Sequence, residues 1–479
     1  MTTIVDEIGS EDVLPRSVVQ VTSKGPSGIT PKRVLVIGPR LTTGAVAANT
    51  PYTCLNETYG EYGSGVGSPV AGVVYAFKRI NKSAIVDAIG IADDGSGVVA
   101  TGALGLSGTA TESGTLAFTI AGRPYSYGVT SGTTAATALT AIKALIDADA
   151  RRYFLAGTIG SGEIPLTSRW KGDHGNSAKI KQTSAAVAGI AVALTQPVSG
   201  ATNGDITTAI AAMGATKYDR VIFIGNDDTA LDLLEAEMAR RFTAEVGLQG
   251  TVVTGVYGAL SAQTTFASSR NSRHVYAIAT GLSNTPYWIW AAEWCAKELL
   301  AIAVDGGAVF IDQALPTCVA PDLADRFLPS ERSTLLRAGM STYYVSDADG
   351  TCYVENTVTN YLTDSLGSTD ERFRPQRVMN IIDEYRTNLN TLNQRYRSYK
   401  LVADGTPINV GVKALTPGFY KSVIDGNYEN YAGTGNVQDV ATFKVDSRAE
   451  ISATNRLTAY HPITISGQVI TVASLLVVG

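Results

Sequence analysis

Between residues 205 and 304 the sequence alternates short, almost wholly apolar runs with longer segments whose apolar residues recur at helical spacing. Short continuous apolar runs are typical of strands buried on both faces of a parallel sheet. Helices are predicted at 205–213, 229–246 and 286–304, with a short one after Ser261, and strands at 220–224, 251–257 and 274–279. The alternation predicts an α/β block with a mainly parallel sheet.

The segment before this block begins with the same pattern and then changes character. A run at 32–38 has the buried-strand pattern, and a helical pattern follows at 68–80. The sequence then becomes rich in Gly, Ser and Thr and alternates with period two, which predicts a hairpin over 116–129 and a helix over 133–148. These features predict an inserted β-rich domain over residues 84–198.

The segment after the block predicts a third kind of unit. Residues 347–350 form a turn signal between two short strand patterns, and 375–401 carries apolar residues along one stripe of a long helix. Strands are predicted at 407–412 and 438–445. Together these elements predict a C-terminal α+β domain.

Both ends of the chain have strand patterns without an evident partner. Residues 460–479 contain no charged side chain, and a second apolar segment at 18–22 follows an acidic leader. Strands with unpaired edges recruit other chains, so both ends are predicted to pair with further copies of this chain. The residues expected to form these intersubunit strands are Val18, Val19, Val21, Ile463, Ile465, Val469, Ile470, Val472 and Leu475.

Composition argues against several classes of partner. Charged residues make up 17% of the chain, against about a quarter in typical soluble proteins, and the net charge is −5. Basic residues form no patch, so nucleic acid is not an expected partner. The first residues lack the pattern of a secretory signal. No segment is long and apolar enough to span a bilayer. The four cysteines are scattered along the sequence, which is typical of reduced thiols.

The sequence offers no convincing catalytic, cofactor-binding or metal-binding site. Its three histidines, His174, His274 and His461, are far apart, and no motif with zinc spacing occurs. Residues 38–44 follow a strand with two glycines but lack the lysine of a phosphate-binding loop. Asp173 and His174 have no accompanying nucleophile motif. No catalytic, cofactor or metal residue is therefore predicted.

Two alternatives to an assembling structural protein stay open. A hydrolase or nucleotide-dependent enzyme would place its ligand at the strand ends of the α/β block, near residues 225–228. Asp227 and Asp228 there also fit a plainer role, the capping of the following helix. The second alternative is a non-contractile coat or surface-layer subunit, which would also use terminal strands.

The order of these segments resembles that of a known family. The resemblance lies in the strand at 34–38 with a downstream Gly65-x-Gly67-Ser68-Pro69, the Gly/Thr hairpin region from Gly108, the α/β block over 218–304, and the end of the chain from Arg372 with Asn455-Arg456-Leu457. In this order the chain resembles contractile tail sheath proteins of tailed bacteriophages, most closely the Mu-like branch.

The resemblance implies an architecture and a function. The central α/β domain would have a subtilisin-like layout without a working triad, so the chain would not be an enzyme. Subunits would form six-fold rings in a helical sleeve around the tail tube, contact baseplate and tail terminator proteins, and contract to drive the tube through the host envelope. They would assemble in the host cytoplasm and reside in the virion tail. The implied division is an N-terminal arm (1–24), a first part of the sheath core (25–83), the inserted outer domain (84–198), the central α/β domain (199–358), a C-terminal α+β domain facing the tube (359–459) and a C-terminal arm (460–479).

Overall fold

The computed structural model describes residues 31–469. Its strands, in chain order, are β1 (Arg33–Pro39), β2 (Tyr52–Cys54), β3 (Ile85–Ile91), β4 (Val99–Gly108), β5 (Gly114–Ile120), β6 (Arg123–Val129), β7 (Phe154–Ala156), β8 (Glu163–Lys171), β9 (Ile180–Gln182), β10 (Ile190–Val198), β11 (Arg220–Phe223), β12 (Thr251–Tyr257), β13 (Val275–Gly281), β14 (Ala314–Leu315), β15 (Met340–Val345), β16 (Cys352–Asn356), β17 (Lys400–Leu401), β18 (Ala414–Leu415), β19 (Val437–Gln438), β20 (Arg448–Ala453), β21 (Arg456–Tyr460) and β22 (Thr464–Ile465). Its helices are α1 (Tyr59–Ser64), α2 (Pro69–Ile80), α3 (Ala135–Ala148), α4 (Thr207–Ala212), α5 (Asp228–Phe242), α6 (Leu260–Ser268), α7 (Tyr287–Val304), α8 (Pro329–Arg337), α9 (Gln376–Gln394), α10 (Pro417–Ala432) and α11 (Val440–Asp446).

A nine-stranded sheet forms the centre, in the order β14-β16-β15-β13-β12-β11-β1-β3-β2. Its inner strands run parallel, with Val34 opposite Arg220 on one side and Val86 on the other. Only the edge pairings that involve β2, β14 and β16 are antiparallel. The predicted α/β block with a mainly parallel sheet is confirmed, and residues 31–469 form a mixed α/β structure with several sheets.

Helices cover both faces of this sheet. Val34 and Val36 point into a core shared with α2 and α7, whereas Leu35 and Ile37 point into a core shared with α4, α5 and α6. All four side chains are fully buried, because successive residues of a strand face opposite sides. The continuous apolar runs of the sequence follow directly from this two-sided burial.

The β-rich part of the chain packs against α7. It contains the four-stranded sheet β10-β4-β8-β7, the three-stranded sheet β6-β5-β9 and α3. The predicted hairpin is confirmed as β5 and β6, joined by Ala121 and Gly122, which both have positive φ. Trp170 meets Trp288 of α7 edge to face at 6.0 Å.

One boundary of the predicted insertion needs correction. The predicted domain starts at residue 84, but β3 lies within it and pairs with β1 in the central sheet. Its burial pattern shows why, since six of the seven residues of β3 are buried, as in a central strand. The separate sheets of the β-rich part begin only at Val99.

The C-terminal part differs most from expectation. The long helix, α9, ends at Gln394 rather than 401, and residues 395–399 form turns before β17. The predicted strand at 407–412 is wrong because no strand forms there and Val410 is fully exposed. The predicted strand at 438–445 is also wrong, since Val440–Asp446 is helical. There Phe443 stacks on Tyr428 with ring centres 3.7 Å apart, a contact that the local pattern does not encode.

None of the helices within residues 31–469 has the length and apolar character needed to cross a membrane.

Candidate functional site

The C-terminal part is built on a cluster of aromatic side chains. Tyr385 of α9 packs against Tyr428 and Tyr431 of α10 at 6.2 and 5.3 Å between ring centres. Ile381, Val437 and Phe443 of α11 complete the buried cluster. Tyrosines suit this position because each ring buries a large apolar area while its hydroxyl finds a partner at the edge. The cluster holds α9, α10 and α11 together as one unit.

A two-stranded hairpin, β20 and β21, extends over this unit. Its register places Ala449 opposite Ala459 and Ile451 opposite Leu457. Ala449 and Leu457 pack against a buried cluster that consists of Leu392, Leu415 and the α10 residues Tyr420 and Ile424. Within residues 31–469 the hairpin forms a sheet of its own with only two strands, so its two outer edges have no strand beside them. Unpaired strand edges present main-chain donors and acceptors that can take up further strands.

The predicted intersubunit residues fall into three groups. Val18, Val19, Val21, Ile470, Val472 and Leu475 lie outside the described residues. Val469 lies outside any strand and is 71% exposed. Ile463 and Ile465 are half-buried against the aromatic cluster of their own chain.

The first part of the predicted C-terminal arm is thus attached to its own domain. Tyr460 ends β21, and Ile465 in β22 pairs with Val437. Arg377 of α9 also donates a hydrogen bond to the Ser466 carbonyl at 2.7 Å. The expectation that the arm leaves its domain at residue 460 is corrected, because β22 pairs with β19 of the same chain. The intersubunit role of the arm residues stays a prediction.

The C-terminal unit is fixed through α9 to the loops and to helix α5 of the central α/β part. Gln249 donates to the Met379 carbonyl at 2.7 Å, Lys217 contacts the Asp383 carboxylate at 2.8 Å, and Arg386 donates to the Phe242 carbonyl at 2.7 Å. Such bonds from several elements to a single helix restrict its rotation as well as its displacement. We call these three contacts, together with the hydrogen bond that Arg220 donates to Asn380 of α9, the α9 attachment.

A buried ion pair lies at the centre of the α9 attachment. Arg220 binds both oxygens of Glu298, at 2.5 and 3.1 Å, and donates to Asn380 at 2.7 Å. Tyr276 donates to the same carboxylate at 2.5 Å. Both charged side chains are nearly inaccessible, 4% and 2% exposed. Burial opposes the charge of Arg220, but the Glu298 carboxylate outweighs it and raises the pKa of the guanidinium.

Sequence reasoning missed this attachment and predicted no contact for Arg377. Arg377 in fact binds carbonyls of Gly307 and Ser466. It also missed the hairpin, although Thr454 and Asn455 between two alternating runs are turn-forming residues that could have predicted it. The buried pair of Arg220 and Glu298 had no local signal, because its partners are 78 residues apart.

The enzymatic alternative focused on Asp227 and on Asp173 with His174. Asp227 accepts a hydrogen bond from the Ala230 amide at 2.9 Å and caps α5, as the plainer interpretation predicted. Its other oxygen accepts from Asn203 at 3.2 Å. His174 does lie nearby, buried and 3.4 Å from Asp173. Burial lowers the pKa of His174, which keeps the imidazole neutral.

The space beside these residues is too small for a substrate. The cavity lined by His174, Asn203 and Asp227 has a volume of about 10 Å³, room for about one water molecule. No Ser, Thr or Cys lines it among the described residues. Across residues 31–469, no three His, Cys, Asp or Glu side chains converge as metal ligands. The arrangement supports a capped helix rather than a hydrolytic centre.

Comparison with known proteins finds similarity to phage tail sheath proteins. Residues 199–360 match the family model described as the phage tail sheath protein central domain. The Mu-like prophage FluMu tail sheath protein of Haemophilus influenzae is 29% identical over 416 residues, which cover 86% of this chain and 85% of that protein.

Solved structures of two sheath tail proteins were also found. The protein from Desulfitobacterium hafniense has a TM-score of 0.48 at 13% identity and covers 90% of this chain and 93% of its own. The protein from Listeria innocua has a TM-score of 0.47 at 13% identity, with 91% and 92% covered. On the sequence matches, residues 199–360 carry a phage tail sheath central domain, and most of the chain is similar to a Mu-like tail sheath protein.

Proposed function

We propose that copies of this chain polymerise as helically stacked hexameric rings around the tail tube and that the sleeve contracts to drive the tube through the host envelope. The partners in this proposal are further copies of the chain, the tail tube protein, and baseplate and tail terminator proteins. The subunits assemble in the host cytoplasm before they become part of the virion. The function requires no catalysis, cofactor, nucleic acid or membrane insertion.

The observation that carries the proposal is the isolated hairpin of β20 and β21. One face is held by α10 through Ala449 and Leu457, while the outer edges are without neighbours within residues 31–469. A two-stranded sheet is marginal alone and gains stability when strands are added. The hairpin therefore suits the acceptor role, and the apolar ends of other copies suit the donor role.

The donor strands come from the two ends of the sequence. In this proposal Val18, Val19 and Val21 supply one strand, and Val469, Ile470, Val472 and Leu475 supply the other. Ile463 and Ile465 act instead as the root of the C-terminal arm, since they pack on their own aromatic cluster. An anchored root fixes where the arm leaves the subunit, which lowers the entropy lost when the arm binds a neighbour.

The α9 attachment determines which parts move together. Because Gln249, Lys217 and Arg220 all hold α9, the central and C-terminal domains travel as one body during contraction. The motion is then taken up by the arms, between two subunit packings of unequal free energy. In the same proposal the β-rich insertion, with its first boundary after β3, forms the outer surface, and the C-terminal domain faces the tube.

Truncation of the arm tests the proposal. A chain that lacks residues 470–479 should remain folded and monodisperse but fail to polymerise, as seen by sedimentation and negative-stain microscopy. A second variant replaces the same ten residues with a Gly/Ser sequence, which keeps the length of the chain and removes the apolar pattern. This variant should also fail to polymerise. Normal sleeves from either variant would contradict the proposed strand donation.

A further inference from the structure

A cavity of about 550 Å³ lies along α2, where this helix meets the β-rich part and the start of α7. Its lining includes several small residues, among them Ala71, Gly72 and Gly122. Gly72 leaves space for the Tyr153 hydroxyl, which would be 2.2 Å from a Cβ at that position. A cavity of this volume, lined in part by small side chains, can accept an extended peptide segment.

The walls of the cavity carry more positive than negative charge. Arg79, Arg123 and Arg151 line it, whereas Glu61 is its one acidic lining residue. Arg79 and Arg151 both lie over the Tyr75 ring, at 5.5 and 4.9 Å from its centre. Two guanidinium groups are thus held near each other in an aromatic setting that favours cations.

Only part of this charge is compensated within residues 31–469. Arg151 pairs with Glu61 at 2.5 Å, and Arg123 pairs with Asp149. Arg79 is exposed and has no carboxylate partner among the described residues. The side chain of Arg151 is itself 40% exposed and can accept a second carboxylate. The cavity therefore suits an acidic peptide.

The sequence contains one segment of that chemistry outside the described residues. Residues 1–12 carry Asp6, Glu7, Glu11 and Asp12 and no basic residue. The negative charge of the leader complements the excess of positive charge on the walls of the cavity.

We propose that the cavity along α2 binds the acidic leader, residues 6–12, of a neighbouring copy. This rests on the proposed polymerisation and adds a second, electrostatic contact to strand addition by residues 18–22. A contact of this kind steers encounter and fixes register more than it contributes to affinity. The leader would select the correct neighbour before the strand is added.

Charge exchange tests the contact. Arg79→Glu, or Asp6→Lys with Glu7→Lys, should raise the lowest concentration that polymerises about two- to fivefold at low salt, the range for an exposed ion pair. All three substitutions in one chain should restore the wild-type value. Arg337→Glu, an exposed site on α8 without an ion pair among the described residues, is the matched control. If Arg79→Glu behaves like this control while sleeves form normally, the leader contact is disproved and the proposed function stands.

Cross-linking tests whether the leader comes from another copy. The four native cysteines are buried, so introduced thiols can be oxidised selectively. Mixed sleeves of Glu7→Cys and Arg79→Cys chains should give disulfide-linked dimers, whereas Glu7→Cys with Arg337→Cys should not. A chain with both Glu7→Cys and Arg79→Cys should give a ladder of linked copies. Internally linked monomers, or no link at all, would overturn the proposal.

Discussion

Individual side chains determine how firmly the C-terminal domain is held. Arg220 has a central position, because its guanidinium group neutralises the buried Glu298 carboxylate and also donates a hydrogen bond to Asn380 of α9. An ion pair of this kind adds modestly to stability, since removal of both charges from water offsets their attraction. Loss of one partner lowers the free energy of unfolding far more, because the other charge stays buried without compensation. The pair therefore favours the one arrangement of the domains in which both charges meet.

Replacement of Arg220 by Met tests this at the residue scale. We expect a loss of about 3–5 kcal/mol in the free energy of unfolding, because Glu298 is left as an uncompensated buried charge. Urea unfolding followed by the fluorescence of the buried tryptophans measures it. Lys217→Met is the matched control. Its ion pair with Asp383 has a lysine that is 35% exposed, so its loss should cost about 1 kcal/mol or less. Equal effects of the two substitutions would contradict this account.

At the scale of elements, the sequence predicted those that carry their own signals. Strands β1, β11, β12 and β13 were predicted from apolar runs, because both their faces are buried and the runs are uninterrupted. The helix at 440–446 was wrongly predicted as a strand. Its helical conformation depends on the packing of Phe443 against Tyr428, which the local sequence pattern does not reveal. α10 was missed although Thr416 and Pro417 form a standard helix start.

Helix α5 offers a prediction that distinguishes the helix cap of Asp227 from an effect of its carboxylate charge. Asp227→Ala should reduce the free energy of unfolding by about 1 kcal/mol, because the Ala230 amide loses its acceptor. Asp227→Asn keeps an oxygen at the same position and should retain most of that stability. Urea unfolding of the three proteins provides the comparison. If Asn destabilised as much as Ala, the carboxylate charge rather than the cap would be the important feature.

At the scale of the whole molecule, sequence order predicted the arrangement better than any single motif did. The central α/β block and the β-rich part were predicted because each has a distinct period of apolar residues. The candidate acceptor hairpin and the α9 attachment were not, since their contacts join residues far apart in the chain. The arm was placed at residue 460 from an uncharged strand pattern and from the family resemblance, whereas β22 pairs with β19 of the same chain.

The central claim is that the hairpin of β20 and β21 is completed by strands from other copies. A helical reconstruction of assembled sleeves by electron cryo-microscopy, at a resolution that separates strands about 4.8 Å apart, tests it most directly. We predict a sheet of at least four strands in which the added strands trace to residues 18–22 of one neighbour and 469–478 of another. A sleeve whose hairpin edges stay bare, or whose added strands come from the same chain, would contradict the claim.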